Sequence, residues 1–175
     1  METNVKTEWN VDTAHSEVGF KVKHMMISTV SGHFSDFDAS VETDQDDFSG
    51  AQFRFSAQID SINTKNTDRD AHLKSDDFFN AAQFPKLTFI SKSFDGSKMN
   101  GDLTIRDVTR DISLDVDFHG GDVDPYGQTK AGFEITGSLN RKDFGLNWNA
   151  VTEAGSIVVS DTVRLLVDLQ FVREG

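Results

Sequence analysis

Five histidines are the side chains of this sequence that are best suited to binding a metal ion or transferring protons. They are His15, His24, His33, His72 and His119. None of them lies in an HExxH motif or in another close pair of metal ligands, and the chain contains no cysteine. A metal site would therefore need histidines from distant parts of the chain to converge. We predict that the protein has no metal site.

Asp12, His15 and Ser16 have the side-chain types of a hydrolytic triad. In such a triad the histidine removes the serine proton, so these two side chains must be in hydrogen-bond contact. His15 and Ser16 are adjacent, however, and adjacent side chains diverge in an extended chain. No GxSxG motif supplies another nucleophile. The sequence therefore gives little support to a hydrolase.

A second group of ionisable residues lies at 68–72 and contains Asp68, Arg69, Asp70 and His72. These residues could act as an acid–base cluster, but the same pattern is typical of the capped and charged first turn of a helix. The sequence has no phosphate-binding or dinucleotide-binding glycine motif. We therefore predict no catalytic residues and no cofactor.

The charge of the chain limits the partners that it can bind. Its 175 residues include 17 Lys and Arg against 29 Asp and Glu, which gives a formal net charge of -12. Such a charge repels phosphate backbones and anionic lipid surfaces, so we predict no nucleic-acid partner and no stable membrane insertion. No tract rich in Pro, Gly or Ser divides the chain, and we predict one domain over residues 1–175.

The apolar content of the sequence bears on its location. Residues 1–10, METNVKTEWN, contain no apolar stretch of the kind found in signal peptides. No later run approaches the roughly 18 consecutive apolar residues of a membrane helix. We therefore expect a cytoplasmic protein, or a periplasmic one if a signal peptide has been removed.

Apolar and polar side chains alternate through much of the chain, which is typical of strands with one buried face. The clearest example is 17–24, where Val18, Phe20 and Val22 alternate with charged or small residues. Polar residues at 12–16 separate this strand from the preceding one. They predict a turn or a bulge between the two.

Later segments complete the set of predicted strands. A hairpin is expected over 98–121, with its turn at 107–110, and two final strands are expected over 151–161 and 162–171. The sequence thus predicts about eight strands separated by regular turn signals, which is the pattern of an all-β antiparallel barrel or sandwich. We predict an extended barrel, since closure leaves no exposed strand edge.

One segment breaks the alternation and predicts a single short helical insert near residues 67–82. Asn66 or Thr67 is suited to capping its first turn, and Pro85 ends it. The residues expected to face inward are Ala71, Leu73 and Phe78.

The aromatic residues indicate a dry interior. The chain has 15 Phe and 1 Tyr, so the rings on the inward faces carry almost no hydroxyl groups that would need a partner. Such rings could line a hollow suited to a methylene or isoprene chain, or they could fill an ordinary core, and the pattern does not separate the two. The rings expected to converge are Phe20, Phe53, Phe55, Phe89, Phe118 and Phe133.

Motifs along nearly the whole chain resemble those of the YceI-like family of bacterial lipid-binding proteins. The first is W-x-V-D-x-x-H-S-x-V-x-F-x-V-x-H-M, which begins at Trp9. The others are D-R-D-x-H-L-K-S-x-D-F-F at 68–79, F-P-x-L-T-F at 84–89, G-D-L-T-I-R-D-V-T-R at 101–110, N-R-K-D-F-G-L at 140–146 and E-A-G-x-x-V-V-S-D-x-V at 153–163.

The resemblance implies a lipocalin-like barrel around a long apolar tunnel, which in relatives holds a polyisoprenoid or a fatty-acid-type chain. It also implies carriage or storage of isoprenoid quinones or related lipids, and often a homodimer. Asp107 stands where the family usually has Gly in a hairpin turn, and Asp tolerates left-handed backbone better than most residues.

We therefore predict a protein that is not an enzyme and that binds, and carries or stores, a long-chain apolar lipid inside the barrel. His24 and Arg141 are expected near an end, where they would orient a headgroup. The residues predicted to bind the lipid are Phe20, Val22, His24, Phe53, Phe55, Phe89, Leu114, Val116, Phe118, Phe133, Ile135 and Arg141. Two alternatives stay open, namely a small enzyme acting on a lipid-like substrate and a stress-response module with a filled barrel.

Overall fold

Antiparallel strands make up most of the computed structural model, which describes residues 7–25, 27–45, 48–149 and 159–174. In chain order the strands are β1 (Thr7–Val11), β2 (Glu17–His24), β3 (Ser28–Phe34), β4 (Phe37–Thr43), β5 (Gln52–Gln58), β6 (Ile62–Asn63), β7 (Lys86–Phe94), β8 (Lys98–Ile105), β9 (Val108–Val123), β10 (Thr129–Asn140) and β11 (Val159–Arg173). The helix α1 is Thr67–Lys74, and short 3-10 turns lie at Thr13–His15, Ile59–Ser61 and Arg141–Phe144.

The strands close into an eight-stranded antiparallel barrel, as the sequence predicts. The ring runs β1-β4-β5-β7-β8-β9-β10-β11 and is completed by pairing of β1 with β11. The strand β2 continues β1 after a bend and pairs with an earlier part of β11, while β3 and β6 extend the sheet beyond β2. Long β11 therefore holds both halves of the bent first strand and leaves the ring without an open edge.

The bend between β1 and β2 is the interruption that the polar residues 12–16 predict. A carboxylate oxygen of Asp12 accepts a hydrogen bond from the Ala14 amide at 3.1 Å and caps the 3-10 turn. On either side of the bend the alternation changes phase, so that Trp9 and Val18 are both buried. A single strand of constant phase would turn one of these side chains to solvent.

The helical insert is present but shorter than predicted. The helix α1 is capped by Asn66, whose side-chain oxygen accepts from the Arg69 amide at 3.0 Å. Leu73 packs against the core, and Phe78 is buried in the turns that follow the helix. The prediction that Ala71 faces inward is wrong, because this short helix lies across one end of the barrel and Ala71 is on its exposed side.

The predicted turn at 107–110 is placed differently by the structure. The β8–β9 hairpin turns at Arg106 and Asp107, since Ile105 pairs directly with Val108. The left-handed residue there is Arg106, with φ of 56°, and not Asp107. Turn type is set by how the two strands are paired, which the turn residues alone do not determine.

The end of the chain is one strand where the sequence predicts two. The polar residues 160–162 resemble a turn, but β11 passes through them with a shift of register against β2 between Val159 and Val163. The shift absorbs the break in the alternation, as a β-bulge does. The first part of the predicted penultimate strand, 151–158, lies outside the described residues.

Candidate functional site

Part of the barrel interior is an apolar cavity of about 190 Å³. Its wall is built by the inward-facing residues of successive strands, because alternate side chains of each strand point to the same side. On β11, for example, these residues are Val163, Leu165, Val167 and Leu169. An apolar cavity of this size range stays dry and favours an apolar occupant.

The cavity has a rim end and a floor. At the rim end the lining residues include Val22 near the end of β2, Leu139 near the end of β10 and Val159 at the start of β11. At the floor the lining residues are Phe53 and Phe171, which also contact the rings that fill the rest of the barrel. The cavity therefore occupies one end of the barrel interior and stops inside it.

The other end of the barrel is filled by an aromatic plug, which we define as Trp9, Phe48, Phe118 and Phe133. The ring of Phe133 lies 5.0 Å from that of Phe48 and 4.9 Å from that of Phe118, measured between centroids. It also contacts the floor residue Phe53, at 5.4 Å. Edge-to-face and offset packing of this kind is favourable beyond the burial of apolar area.

The structure brings most of the predicted lipid-binding residues together at the cavity. Those on its wall are Phe20, Val22, Phe53, Phe55, Phe89, Leu114, Ile135 and Arg141. Those away from the wall are His24, Val116, Phe118 and Phe133. Phe118 and Phe133 belong to the plug, Val116 is buried without lining the cavity, and His24 lies one inward position beyond Val22 on β2. Contact with a lipid stays a prediction for all of them.

The rim end carries a cover that the sequence analysis did not assign to the site. We define this cover as α1, the turns that follow it and residues 146–148. Leu73, Phe79 and Leu146 of the cover line the cavity. Its two parts touch through His72 and Trp148, whose ring centroids are 4.6 Å apart. In the sequence, the only indication of this cover was the presence of apolar residues in the otherwise polar helical insert.

Arg106 ties the cover to the barrel. One of its guanidinium nitrogens donates to the carbonyl oxygen of Phe78 at 3.4 Å, and the guanidinium lies 5.8 Å from the centre of the Phe84 ring. Both contacts are made from the β8–β9 turn, which lies at the rim end. The cover is therefore held by polar contacts at its edge and by apolar contacts over the cavity.

Arg141 is a buried cation at the rim end, with 3% of its surface exposed. Its guanidinium donates to the carbonyl oxygens of Leu146 at 2.6 Å, Trp148 at 2.8 Å, Ser160 at 3.0 Å and Val159 at 3.3 Å. Burial lowers its pKa below the usual value, although Asp161 nearby opposes the effect. These bonds fix the cover residues 146–148 to the start of β11, so Arg141 positions the rim.

The chain matches a known protein family over most of its length. The family model of the YceI-like domain matches residues 9–171 of the chain. The chain belongs to the YceI-like family. A UPF0312 protein of Staphylococcus aureus strain MSSA476 is 41% identical over 166 residues, which cover 94% of this chain and 97% of the relative.

Solved structures agree with the YceI-like fold. The crystal structure of the Campylobacter jejuni YCEI protein matches with a TM-score of 0.72 and 34% identity, over 100% of this chain and 99% of that one. A polyisoprenoid binding domain from Saccharophagus degradans matches with a TM-score of 0.70 and 14% identity, over 95% and 98% of the two chains. At that identity the second match shows the fold alone.

The triad-like residues of this YceI-like protein are arranged as a structural lock and not as a triad. The Ser16 hydroxyl donates to the backbone oxygen of Asp12 at 2.8 Å and accepts from the Gln170 amide at 2.9 Å. The Asp12 carboxylate is shared by His15 and by Lys130 of β10, each at 2.8 Å. We call Asp12, His15, Ser16, Lys130 and Gln170 the bend lock, because they join the bend to β10 and β11.

The bend lock perturbs the ionisation of its carboxylate. Hydrogen bonds from Lys130 and then from His15 lower the pKa of Asp12 to about 2, and desolvation opposes them only in part. The same contact raises the pKa of Lys130 above its ordinary value. Asp12 and Lys130 are therefore both charged at neutral pH. They form an ion pair in which 13% of the Lys130 side chain and 18% of the Asp12 side chain are exposed.

Asp117, His119 and Glu134 bring three potential metal ligands within 4.8 Å of one another on the outside of the YceI-like barrel. All three side chains are exposed, and exposed acidic groups of this kind are common without a bound ion. The group lies apart from the cavity, on the paired strands β9 and β10. It gives no argument for a metal function.

No helix within the described residues is long and apolar enough to cross a membrane.

Proposed function

We propose that this protein binds one long-chain apolar lipid, of the polyisoprenoid, isoprenoid-quinone or fatty-acid type, and carries or stores it without chemical change. The observation that carries the proposal is the apolar cavity between the rim and the aromatic floor. The Saccharophagus degradans domain of the same fold, described as polyisoprenoid binding, gives independent support for this class of ligand.

The size of the cavity favours a slender occupant. At about 190 Å³ it is smaller than typical pockets for drug-sized ligands, which measure roughly 300 to 1,000 Å³. A single methylene or isoprene chain fits such a space end-on, whereas a bulky ring system does not. A long chain needs the side chains of the cover to move apart, because Leu73, Phe79 and Leu146 of the cover line the cavity at the rim end.

The energy of binding comes from burial of the chain. Each methylene transferred from water into the cavity contributes about 0.8 kcal/mol, which is about a fourfold change in affinity. A chain of about 16 carbons would gain on the order of 12 kcal/mol before the cost of association is subtracted. Affinity should therefore rise with chain length until the chain reaches Phe53 and Phe171, and then level off.

The proposal that the lipid is not transformed rests on the chemistry of the wall. The lining side chains are apolar except for charged residues such as Arg141, whose guanidinium is bonded to backbone carbonyls. The ionisable groups of the bend lock and the exposed group around His119 lie away from the lining residues. A buried acid–base pair facing the occupant is thus lacking among the residues that line the cavity.

A pair of adjacent substitutions tests the cavity. Leu165 faces the cavity from β11, whereas Leu166 is the next residue and faces outward. Leu165→Trp should fill the hollow and abolish uptake of a prenyl quinone or a fatty amide, while Leu166→Trp should leave uptake unchanged. Native mass spectrometry of gently purified protein measures the bound lipid, and thermal unfolding checks that both variants fold.

The two variants give a clear contradiction if the proposal is wrong. Equal lipid content in folded Leu165→Trp and in the original protein would place the ligand elsewhere. Failure of the original protein to retain or take up any of these lipids would reject lipid binding itself.

A further inference from the structure

The β2–β3 hairpin carries apolar side chains into solvent at the rim end of the barrel. Ile27 is 82% exposed and Met25 is 37% exposed. His24, which precedes them, pairs with the cavity-lining residue Val159. The hairpin tip therefore projects just beyond the rim, at the end of the barrel where the cavity is covered by α1 and its following turns and not by the plug.

A group of exposed cations lies beside this tip on the outer face of the sheet. Lys21 and Lys23 of β2 point outward, and Arg164 of β11 is the cross-strand partner of Lys21. Lys23 donates to the Thr29 hydroxyl at 3.1 Å, and neither Lys21 nor Arg164 contacts an acidic side chain of the described chain. Like charges directly opposite each other repel, so an anionic partner bound at Lys21 and Arg164 would relieve this repulsion.

The acidic residues of these two strands are either distant from the cations or already paired. Asp161 of β11, near the rim, forms ion pairs with Lys142 at 3.4 Å and with Arg141 at 3.8 Å. The next charged cross-strand pair is Glu17 with Asp168, four residues along both strands. At about 3.4 Å per residue that separation is roughly 14 Å, which exceeds the Debye length of about 8 Å at physiological ionic strength. Glu17 and Asp168 thus lie away from the rim, while Asp161 at the rim end is paired with cations other than Lys21, Lys23 and Arg164.

We propose that Lys21, Lys23, Arg164, Met25 and Ile27 form a docking face that binds reversibly to the surface of an anionic lipid bilayer. The inference rests on the proposed lipid-binding function, since docking here brings the rim end of the cavity to the source of the lipid. The cations meet lipid phosphates, and the apolar tip enters the interfacial region.

The net charge of -12 makes this contact specific in orientation and not strong. An acidic protein is repelled by an anionic bilayer at long range, but at physiological salt the repulsion from distant carboxylates is screened while charges in direct contact still attract. The docking face is the surface through which close approach is favourable. Binding is therefore transient, as release of a carrier requires.

Vesicle co-sedimentation tests the docking face with the protein as isolated. The vesicles are phosphatidylglycerol and phosphatidylcholine in equal amounts, compared with phosphatidylcholine alone. We expect binding to the anionic vesicles that is lost at 1 M salt, where the Debye length is about 3 Å, and weak binding to the neutral ones. Equal binding to both kinds of vesicle, or binding to neither, would overturn the proposal.

The charge variant combines Lys21→Ser, Lys23→Ser and Arg164→Ser. Each cation near an anionic surface contributes about fivefold to binding, so we expect the variant to bind the anionic vesicles at least about tenfold more weakly. Its matched control has the same net charge but replaces exposed cations elsewhere, by Lys86→Ser, Lys98→Ser and Arg173→Ser. An equal loss in the control would show that net charge, and not the docking face, governs binding.

The apolar variant combines Met25→Asn with Ile27→Ser, and asparagine is chosen because residue 25 has a φ of 53°. Its control, Val123→Ser with Tyr126→Ser, removes exposed apolar side chains at the end of β9 and in the turn that follows it, on the plug side of the barrel. We expect the tip variant to weaken vesicle binding and the control to leave it unchanged. The reverse order would reject the docking face.

The lipid content of each variant separates this inference from the function on which it rests. Charge and tip variants that keep their bound lipid in native mass spectra but lose vesicle binding support docking as a separate step. If the unmodified protein carries lipid but does not bind anionic vesicles, the docking face alone is rejected. Original protein without any lipid rejects the proposed function, whatever the vesicles show.

Discussion

Removal of one ring from the aromatic plug should both destabilise the barrel and deepen the cavity. Phe133 is 2% exposed and lies between Phe48, Phe118 and the floor residues Phe53 and Phe171, with ring centroids 4.9 to 5.7 Å away. Truncation of a buried phenylalanine to alanine costs about 3 to 5 kcal/mol, and the number of ring contacts here places Phe133→Ala toward the upper end of that range.

The second effect of Phe133→Ala is on the ligand. With the ring gone, the space behind Phe53 and Phe171 joins the cavity, so the chain length at which affinity levels off should increase. Chemical denaturation gives the free energy of unfolding, and binding of a series of saturated fatty amides gives the chain-length limit. Both measurements are made on the same preparation.

Phe37→Ala is the matched control for this experiment. Phe37 is also buried and stacks on Phe55 at 6.3 Å, but it neither lines the cavity nor touches the plug. It should lose a comparable amount of stability without any change in the chain-length limit. A Phe133→Ala variant that is destabilised but keeps the original limit would refute the view that the plug sets the floor.

Three other perturbations follow from the contacts described. The pKa of Asp12 is about 2 in the folded protein against an ordinary value of 3.8, so the bend lock stabilises the fold above about pH 4. This contribution is about 1 to 2 kcal/mol after allowance for solvent screening, and it should vanish as the pH falls from 4 to 2. Denaturation of the unmodified protein and of Asp12→Asn at each pH measures it, and a difference in stability that does not depend on pH would contradict the prediction. Arg141→Met should cost about 3 kcal/mol or more in unfolding free energy, because several buried carbonyl oxygens lose their donor, and an effect under 1 kcal/mol would be inconsistent with the bonding described. Arg164→Ser should raise the midpoint of thermal unfolding slightly, by the equivalent of about 0.2 to 1 kcal/mol, because it relieves repulsion from Lys21, and a lower midpoint would speak against that repulsion.

The sequence predicts which face of a strand each residue occupies far better than it predicts height along the barrel. Alternation alone places Phe20, Phe53 and Phe133 inward, and all three are inward in the structure. Whether an inward ring meets the cavity or the plug depends on the stagger between strands far apart in sequence. That stagger is a property of the closed ring, so Phe20 and Phe133 could not be separated before the pairing was known.

Local irregularities were the other limit. The polar run before Val163 has the composition of a turn, but β11 continues through it because β2 and β10 pair on both sides. Arg106 takes the left-handed conformation although Asp107 is the residue type better suited to it. In both cases long-range pairing overrides a local preference, which no reading of a short segment can reveal.

The aromatic plug closes one end of the barrel, so an occupant of the cavity would enter and leave at the rim end. A lipid of the proposed kind would enter with its tail first and leave with its headgroup first, so a second molecule could not displace the first by pushing it through the barrel. Uptake of one lipid and release of another could not then occur together, and the rate of lipid release would limit the rate at which the next lipid binds.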